Sequence, residues 1–145
     1  VGDGKERPRM REMAKKLGLE NVTFVAPKPK SEMSEVLAAS NVCVATLLNI
    51  PMFKTTYPNK IFDYMAAGRP TIFAIDGVIR SVVENSKGGV YVPPSDHRAL
   101  AKAIVRLRDN QDECKAMGEA ARRSVVLHFN RKNQALDFAK LIKSL

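Results

Sequence analysis

Apolar residues recur along the chain first at helical and then at strand spacing, and this order repeats several times. The first helix is predicted by four apolar residues on one helical face, namely Met10, Met13, Ala14 and Leu17. Gly18 follows as a stop, and residues 22–26 form a short β-rich run between Asn21 and Pro27. The opening of the chain therefore predicts an amphipathic helix followed by a buried strand.

The same alternation continues to the end of the chain. Further strands are predicted at residues 42–47, 70–75 and 90–92. Further helices are predicted at residues 58–67, 78–85, 96–109, 111–128 and 131–145, in addition to one capped by Ser31. Residues 48–57 follow neither period, so we expect an irregular segment there.

Single helices separate most of the predicted strands, and each strand is a continuous apolar run rather than an alternating one. This pattern predicts a parallel sheet with helices on both faces, an α/β Rossmann-like fold. A chain of 145 residues that is 45% hydrophobic suits a single domain over residues 1–145. Its opening, Val1-Gly-Asp-Gly4, is typical of the end of a strand and the turn after it, so we expect a preceding strand outside this chain.

Charge and composition narrow the function classes. Lys and Arg outnumber Asp and Glu by 24 to 15, and the formal charge of +9 favours an anionic partner such as nucleic acid, a phosphorylated small molecule or an acidic membrane surface. Nucleic acid is disfavoured, because the basic residues are spread over every predicted helix and only 6% of residues are aromatic. Cys43 and Cys114 lie far apart and match no metal-site spacing, so we expect reduced thiols of a cytoplasmic protein.

In a parallel sheet of this kind, ligands bind beyond the carboxyl ends of the strands, where helix N-termini present free N–H groups. Three predicted loops meet this condition, at residues 2–6, 26–31 and 48–60. Gly2 and Gly4 favour a tight strand-to-helix turn over a phosphate loop, because they supply only part of the G-x-G-x-x-G pattern.

The loop and helix around residues 55–70 carry the richest chemistry. The apolar face of this helix is formed by Ile61, Phe62 and Met65. The opposite face carries Asn59, Lys60 and Asp63. A cation beside a positive helix end favours phosphate, and a carboxylate one turn later can accept hydrogen bonds from sugar hydroxyls, so this face predicts a nucleotide site. The periodicity fits a solvated helix surface with a Lys60–Asp63 ion pair equally well.

At these residues the chain resembles the C-terminal domain of family-4 glycosyltransferases, most closely the branch that assembles bacterial surface polysaccharides. The resemblance runs over nearly the whole chain, and its central segment is Tyr57-Pro-Asn-Lys-Ile-Phe-Asp-Tyr-Met-Ala-Ala-Gly-Arg-Pro70. The supporting segments, in the same order as in the family, are Val1-Gly-Asp-Gly4, Gly88-Gly-Val-Tyr-Val-Pro-Pro94 and Met117-Gly-Glu119.

The resemblance implies a GT-B enzyme of two Rossmann-like domains that uses no metal or other cofactor and retains configuration at the anomeric carbon. Its second domain would bind a nucleoside diphosphate sugar, and its first domain a polysaccharide or lipid-linked acceptor. This chain would be the second domain without its first strand and helix, inactive when isolated. We expect a cytoplasmic enzyme that is peripheral at the inner face of the membrane.

Family members typically carry two glutamates separated by seven residues, of which the second holds the ribose hydroxyls and the first lies near the donor sugar. By the resemblance, these positions fall on Asp63 and Thr55. Asp63 keeps a carboxylate that is one methylene shorter, whereas Thr55 lacks the charge.

The resemblance also implies donor contacts in two loops. Thr56, Tyr57 and Asn59 belong to a loop that replaces the family's commoner glycine-containing one, in which Pro58 removes a backbone donor and Lys60 can supply charge. The base would lie against Ala26, Pro27 and Lys28. For this second loop, a simple strand-ending turn is the alternative.

No set of residues identifies a catalytic centre, and His97 and His128 are interpreted as surface or helix-end residues. Two alternatives to a transferase stay open: a non-catalytic nucleotide- or anion-binding module, and a sugar-nucleotide epimerase of GT-B fold. The terminal helix, about residues 130–145, carries an apolar stripe that we expect to be partly exposed and to pack on the N-terminal domain. The stripe consists of Phe138, Leu141, Ile142 and Leu145.

Overall fold

A computed structural model describes residues 1–144, and Leu145 lies outside the described residues. The chain forms two compact units, Val1–Val36 and Leu37–Leu145. The helices are α1 (Arg7–Lys16), α2 (Met33–Ala38), α3 (Pro51–Lys54), α4 (Asn59–Ala66), α5 (Val78–Ser86), α6 (His97–Asp109), α7 (Gln111–His128) and α8 (Arg131–Lys143). The strands are β1 (Cys43–Thr46), β2 (Thr71–Ala74) and β3 (Gly89–Tyr91). The organisation as a single domain stays a prediction.

The first unit contains α1 and a long irregular segment. Gly18 adopts a left-handed conformation (φ +62°) just after α1, as a helix stop requires. The predicted strand at residues 22–26 is wrong. The one ladder-like backbone bond there joins the Gly2 amide to the Val25 carbonyl at 3.2 Å. A strand needs a row of such bonds to a neighbour, and apolar content alone does not supply one.

Two other local predictions are corrected. Ser31 does not cap a helix, because it lies inside a 3₁₀ turn, Lys30–Glu32, whose N-cap is Pro29. Residues 48–57 are not wholly irregular, since Pro51 starts the single-turn helix α3. Proline is well suited to the first position of a helix, because its fixed φ is helical and its missing N–H would be unpaired there.

The second unit is built on a three-stranded parallel sheet in the order β1-β2-β3. Cys43 lies opposite Thr71 in the register, and Thr71 lies opposite Gly89. All four residues of the central strand β2 are buried, whereas exposed and buried residues alternate along the edge strand β1. The predicted α/β class, with parallel strands flanked by helices, is confirmed.

Helices cover the two faces of this sheet unequally. One face packs against α4, α5 and α7, in a core made by Ala45, Ile61, Met65, Phe73, Ile75, Ile79, Val83, Ala121 and Val125. The other face packs against α6, in a core made by Ile72, Ala74, Val92, Ala103 and Leu107. Successive residues of β2 alternate between these cores because side chains of a strand point to opposite faces. Helix α4 is therefore fixed to the sheet by Ile61 and Met65, both fully buried.

Helices α4 and α7 approach closely where two glycines meet. A Cβ placed on Gly118 of α7 would lie 2.1 Å from the Gly68 carbonyl oxygen. Gly68 itself has φ +66° and ends the turn after α4. The absence of side chains at this contact lets the backbone of α7 lie against the end of α4.

The terminal helix α8 contains no buried residue. Phe138, Leu141 and Ile142 are exposed over 64%, 58% and 55% of their surfaces, so the expected exposure of the stripe is confirmed for these three residues. The fourth stripe residue, Leu145, lies outside the described part of the chain. That the stripe packs on an N-terminal domain stays a prediction.

Both cysteines are free and buried. Burial raises the pKa of the Cys43 thiol to about 11, against a smaller opposing effect of the Arg69 charge. Burial also raises the pKa of Cys114, and Arg69 again opposes the rise. Within residues 1–144, no three His, Cys, Asp or Glu side chains come together as a metal site, and no helix has the length and apolarity to cross a bilayer.

Candidate functional site

The parallel topology brings three helix N-termini to one edge of the sheet. Helix α5 follows β2 and α6 follows β3 directly, whereas α4 follows β1 after the single-turn helix α3. Since all three strands run in the same direction, each of these helices begins near the carboxyl end of the strand before it. This carboxyl edge is the part of the second unit where an anionic ligand would meet free backbone N–H groups.

A crevice of about 540 Å³ opens at the carboxyl edge. The ends of the strands contribute Thr46, Ala74 and Pro93 to its wall, and Asp96 and His97 contribute the start of α6. The sequence predicts that Asn59, Lys60 and Asp63 face a ligand crevice, but they do not line this one. They belong to α4, which covers the opposite face of the sheet from α6.

A carboxylate of the protein caps α6, and another lies next to the uncapped start of α5. The Asp96 side chain caps α6, accepting a hydrogen bond from the Ala99 backbone N–H at 2.8 Å. Asp76 lies just before Gly77, the N-cap of α5, with an oxygen 3.7 Å from an Arg80 guanidinium nitrogen. The Asp96 carboxylate would repel an anion from the start of α6, whereas Asp76 is itself paired with Arg80.

Helix α4 begins differently. Pro58 occupies its N-cap position in an extended conformation, and no side chain caps the helix. The side chains of Asn59 and Lys60, the first two residues of the helix, are exposed. Of the three N-termini, α4 therefore combines unoccupied backbone donors with a cation and a neutral amide donor, which is the combination that suits a phosphate group.

The predicted division of α4 into two faces is confirmed. Ile61 and Met65 are fully buried, whereas Asn59, Lys60 and Asp63 are exposed. The alternative ion pair between Lys60 and Asp63 is not formed, and within residues 1–144 neither side chain has a hydrogen-bond or ion-pair partner. Both charged groups are thus available to a ligand.

The loop before α4 is partly engaged in its own structure. The Thr55 and Thr56 hydroxyls donate to the Met52 carbonyl oxygen at 3.2 and 3.0 Å, which closes the end of α3. Tyr57 is exposed over 53% of its surface, and its ring centroid lies 6.4 Å from that of Phe62. The positions of Thr55 and Thr56 therefore suit fixing the loop, while Tyr57 presents an aromatic surface beside the start of α4.

The residues predicted to receive the base belong to the first unit. Ala26, Pro27 and Lys28 are exposed and irregular. The Lys28 ammonium group forms an ion pair at 3.0 Å with Glu32, four residues later in the chain. Their role toward a base stays a prediction.

A charge network at the carboxyl edge was not foreseen from the sequence. Asp76 lies between Lys54 at 4.0 Å and Arg80 at 3.7 Å, and Arg80 also pairs with Glu84 at 2.9 Å. The Arg80 guanidinium lies 3.8 Å from the centre of the Tyr91 ring. This network joins the loop before α4 to the start of α5. Asp76 followed by Gly77 after an apolar strand was the signal that could have indicated it.

Gly77 permits the close contact between the end of α3 and the start of α5. Its φ is +94°, and an added Cβ would lie 2.0 Å from the Lys54 carbonyl oxygen. The backbone at the end of α3 therefore lies directly against the turn after β2, which helps to fix the segment that leads into α4.

A family model described as "Glycosyl transferases group 1" matches residues 1–110, well over half of the chain. The chain belongs to this family. Among curated relatives, it is 27% identical over 122 residues to D-inositol 3-phosphate glycosyltransferase of Corynebacterium kroppenstedtii, covering 83% of this chain and 26% of that protein. It is 26% identical to the putative colanic acid biosynthesis glycosyltransferase WcaL of Escherichia coli, covering 100% of this chain and 36% of that protein. The chain thus spans about a quarter to a third of the length of these two relatives.

Solved structures show the same fold. Sucrose-phosphate synthase from Thermosynechococcus elongatus matches with a TM-score of 0.81 and 29% identity, covering 97% of this chain and 34% of that one. Anabaena HepE, solved in complex with UDP-glucose, matches with a TM-score of 0.82 and 22% identity, covering 100% of this chain and 40% of that one. The fold of this chain is therefore that of one part of a GT-B glycosyltransferase.

Proposed function

We propose that this chain is the donor-binding part of a retaining glycosyltransferase that moves a sugar from a nucleoside diphosphate sugar to a polysaccharide or lipid-linked acceptor. The observation that carries the proposal is the start of α4, an uncapped helix N-terminus with exposed Asn59 and Lys60 at the carboxyl edge of a parallel sheet. In this proposal, Lys60 and the first backbone N–H groups of α4 hold the diphosphate.

Asp63 completes the donor site in this proposal. It lies four residues after Asn59 on the exposed face of α4, so both side chains lie on the same side of the helix, one turn apart. An unpaired carboxylate accepts hydrogen bonds readily and suits a ribose with two neighbouring hydroxyls. Phosphate at the helix start and ribose one turn later give the order of groups in a nucleotide.

The names of related proteins support the same class of reaction. HepE was solved with UDP-glucose, and separately with UDP, which makes a uridine nucleotide the first donor to test. WcaL is named for colanic acid biosynthesis, which supports a saccharide acceptor. Retention at the anomeric carbon rests on the resemblance to family-4 enzymes.

We expect the 145-residue chain to bind UDP or GDP weakly, with a dissociation constant on the order of 1 mM, because α4 supplies a single cation and an eight-residue helix to a multiply charged diphosphate. Titration followed by NMR should shift the amide signals of Asn59 and Lys60 most. Lys60→Ala should weaken binding, whereas Lys102→Ala, on the exposed side of α6, should not.

Two results would separate this proposal from the alternatives. Unperturbed α4 signals at millimolar nucleotide would contradict a donor site there. Nucleotide binding without release of nucleotide from any sugar donor, in the full-length protein with saccharide acceptors, would favour a non-catalytic binding module. Conversion of a UDP-sugar to its epimer without an acceptor would favour the epimerase alternative.

We propose a cytoplasmic location, peripheral at the inner face of the membrane. Helix α7 supports a membrane contact with two exposed aliphatic side chains, Val126 and Leu127, on the same helical segment as Arg122 and Arg123, of which Arg123 also pairs with Glu119 at 3.7 Å. Each basic residue near an anionic bilayer contributes about 1 kcal/mol, so Arg122→Ala combined with Arg123→Ala should weaken vesicle binding roughly thirtyfold. Co-sedimentation of the full-length protein with anionic vesicles measures this, with Lys15→Ala as control. Binding that is indifferent to salt and to anionic lipid would refute the contact.

A further inference from the structure

A second cavity, of about 460 Å³, lies between α5 and the end of α7. We name it the serine cleft. Helix α5 contributes Ser81 and Asn85, four residues apart, and α7 contributes Ser124 and His128, also four residues apart. Residues at this spacing lie on one helical face, so each helix presents a short row of neutral polar groups to the cleft. Its size is within the range of small-molecule sites.

The polar groups of the serine cleft are not used by the fold. Within residues 1–144, the side chains of Ser81, Asn85, Ser124 and His128 have no hydrogen-bond or ion-pair partner. Ser86 makes the contrast clear, because its hydroxyl donates to the Val83 carbonyl at 2.7 Å and accepts from the Gly88 amide at 3.0 Å. The cleft therefore offers several free donors and acceptors to a ligand.

The side chains that line the cleft favour a neutral ligand over an ionic one. The cleft is lined by no Lys, Arg, Asp or Glu, in a chain with a formal charge of +9. A phosphate would find no cation there, and a cationic ligand would find no carboxylate. Hydroxyl, amide and imidazole groups act as both donors and acceptors, which matches a ligand that is neutral and rich in hydroxyl groups.

Aromatic rings form one wall of the cleft. Tyr57 and Phe129 line it, and Phe62 lies between them with ring-centroid distances of 6.4 Å to Tyr57 and 4.9 Å to Phe129. An aromatic face next to hydroxyl and amide groups is amphipathic. A pyranose ring is amphipathic in the same way, because its C–H face is apolar and its hydroxyl edge is polar.

We propose that the serine cleft binds a neutral saccharide unit, at a site separate from the nucleotide. Tyr57 lines the cleft, and α4 begins two residues later at Asn59. A saccharide held against Tyr57 would therefore lie beside the start of the helix to which the donor phosphates are assigned. The binding of a saccharide in the cleft does not depend on that assignment.

Saturation-transfer NMR on the full-length protein tests the proposal with the methyl glycosides of glucose, galactose, mannose and N-acetylglucosamine as probes. We expect at least one probe to bind at millimolar concentration. Combining Ser81→Ala with Asn85→Ala should weaken its binding about tenfold, since two hydrogen-bonding groups are lost. Asn133→Ala, an exposed asparagine on α8, is the matched control and should leave binding unchanged.

Competition separates this site from the donor site. UDP should not displace the saccharide, and the Ser81→Ala, Asn85→Ala protein should bind UDP as the wild type does. Displacement by UDP would place the saccharide in the donor site and overturn the proposal. Binding of none of the four probes, or equal binding by the double variant, would also overturn it. Neither of these two results would affect the nucleotide proposal.

Discussion

Asp63→Ala in the full-length protein should lower kcat/KM for sugar transfer about ten- to a hundredfold. The exposed Asp63 carboxylate has no partner within the described chain, so its removal leaves the fold's own contacts intact. In the proposed site, it accepts hydrogen bonds from the ribose hydroxyls. Hydrogen bonds to charged groups contribute roughly 1.5 to 3 kcal/mol, which gives the expected loss.

Conservative variants sharpen this test. Asp63→Asn keeps the size of the side chain but loses its charge, so its activity should fall between those of the wild type and Asp63→Ala. Asp63→Glu restores the residue that is commoner in family-4 enzymes and should be tolerated best. This order distinguishes a ligand contact from a general disturbance of α4.

Asp112→Ala serves as the matched control. Asp112 is an exposed acid in the first turn of α7, where it interacts favourably with the helix dipole. Asp63 is the fifth residue of α4 and lies beyond the first turn, so its loss should destabilise the protein less than the loss of Asp112 does. If Asp63→Ala folds normally and transfers sugar at the wild-type rate, Asp63 is only a solvated helix residue and the nucleotide assignment fails.

Gly118→Ala should destabilise the protein by about 2 kcal/mol and lower its Tm by roughly 5 to 10 °C. Alanine in place of glycine within a helix normally stabilises by about 1 kcal/mol. Here the new Cβ would lie 2.1 Å from the Gly68 carbonyl oxygen and 3.4 Å from Pro70 Cδ. A backbone carbonyl cannot rotate away as a long side chain can, so α7 must move from the end of α4, and packing is lost.

Gly4→Ala is the matched control for this stability test. An added Cβ at Gly4 meets no atom within 4 Å, and Gly4 has no positive φ. Thermal and urea unfolding followed by circular dichroism should show little change for Gly4→Ala and a clear loss for Gly118→Ala. A Gly118→Ala protein as stable as the wild type would mean that α4 and α7 can separate without cost.

The sequence by itself predicted the second unit well, because its elements have strong local signals. Asp96 precedes α6 as a side-chain cap, and Gly68 follows α4 with the positive φ that glycine favours. The buried and exposed faces of α4 also followed from spacing alone, since a helix of fixed pitch puts Ile61 and Met65 on one side. Such features depend on residues that are near one another in the chain.

The strand prediction at residues 22–26 was wrong because a strand depends on residues that are distant in the chain. Its apolar, β-rich composition is a local property, but a strand exists only when a second strand pairs with it. The single bond from Gly2 to Val25 is not a ladder. Composition therefore predicted the character of the segment and not its conformation.

For the candidate site too, some features followed from the sequence and others only from the tertiary structure. The sequence by itself determined which residues of α4 are polar and exposed, because helical period assigns each residue to a face. Only the tertiary structure decided that Asp76, beside the start of α5, lies close to Lys54 at the end of α3. It also decided that α5 and α7 together line an open cleft without Lys, Arg, Asp or Glu, to which they contribute Ser81 and Ser124, 43 positions apart in the chain. Contacts between distant residues depend on how the helices pack on the sheet, and no local pattern encodes that packing.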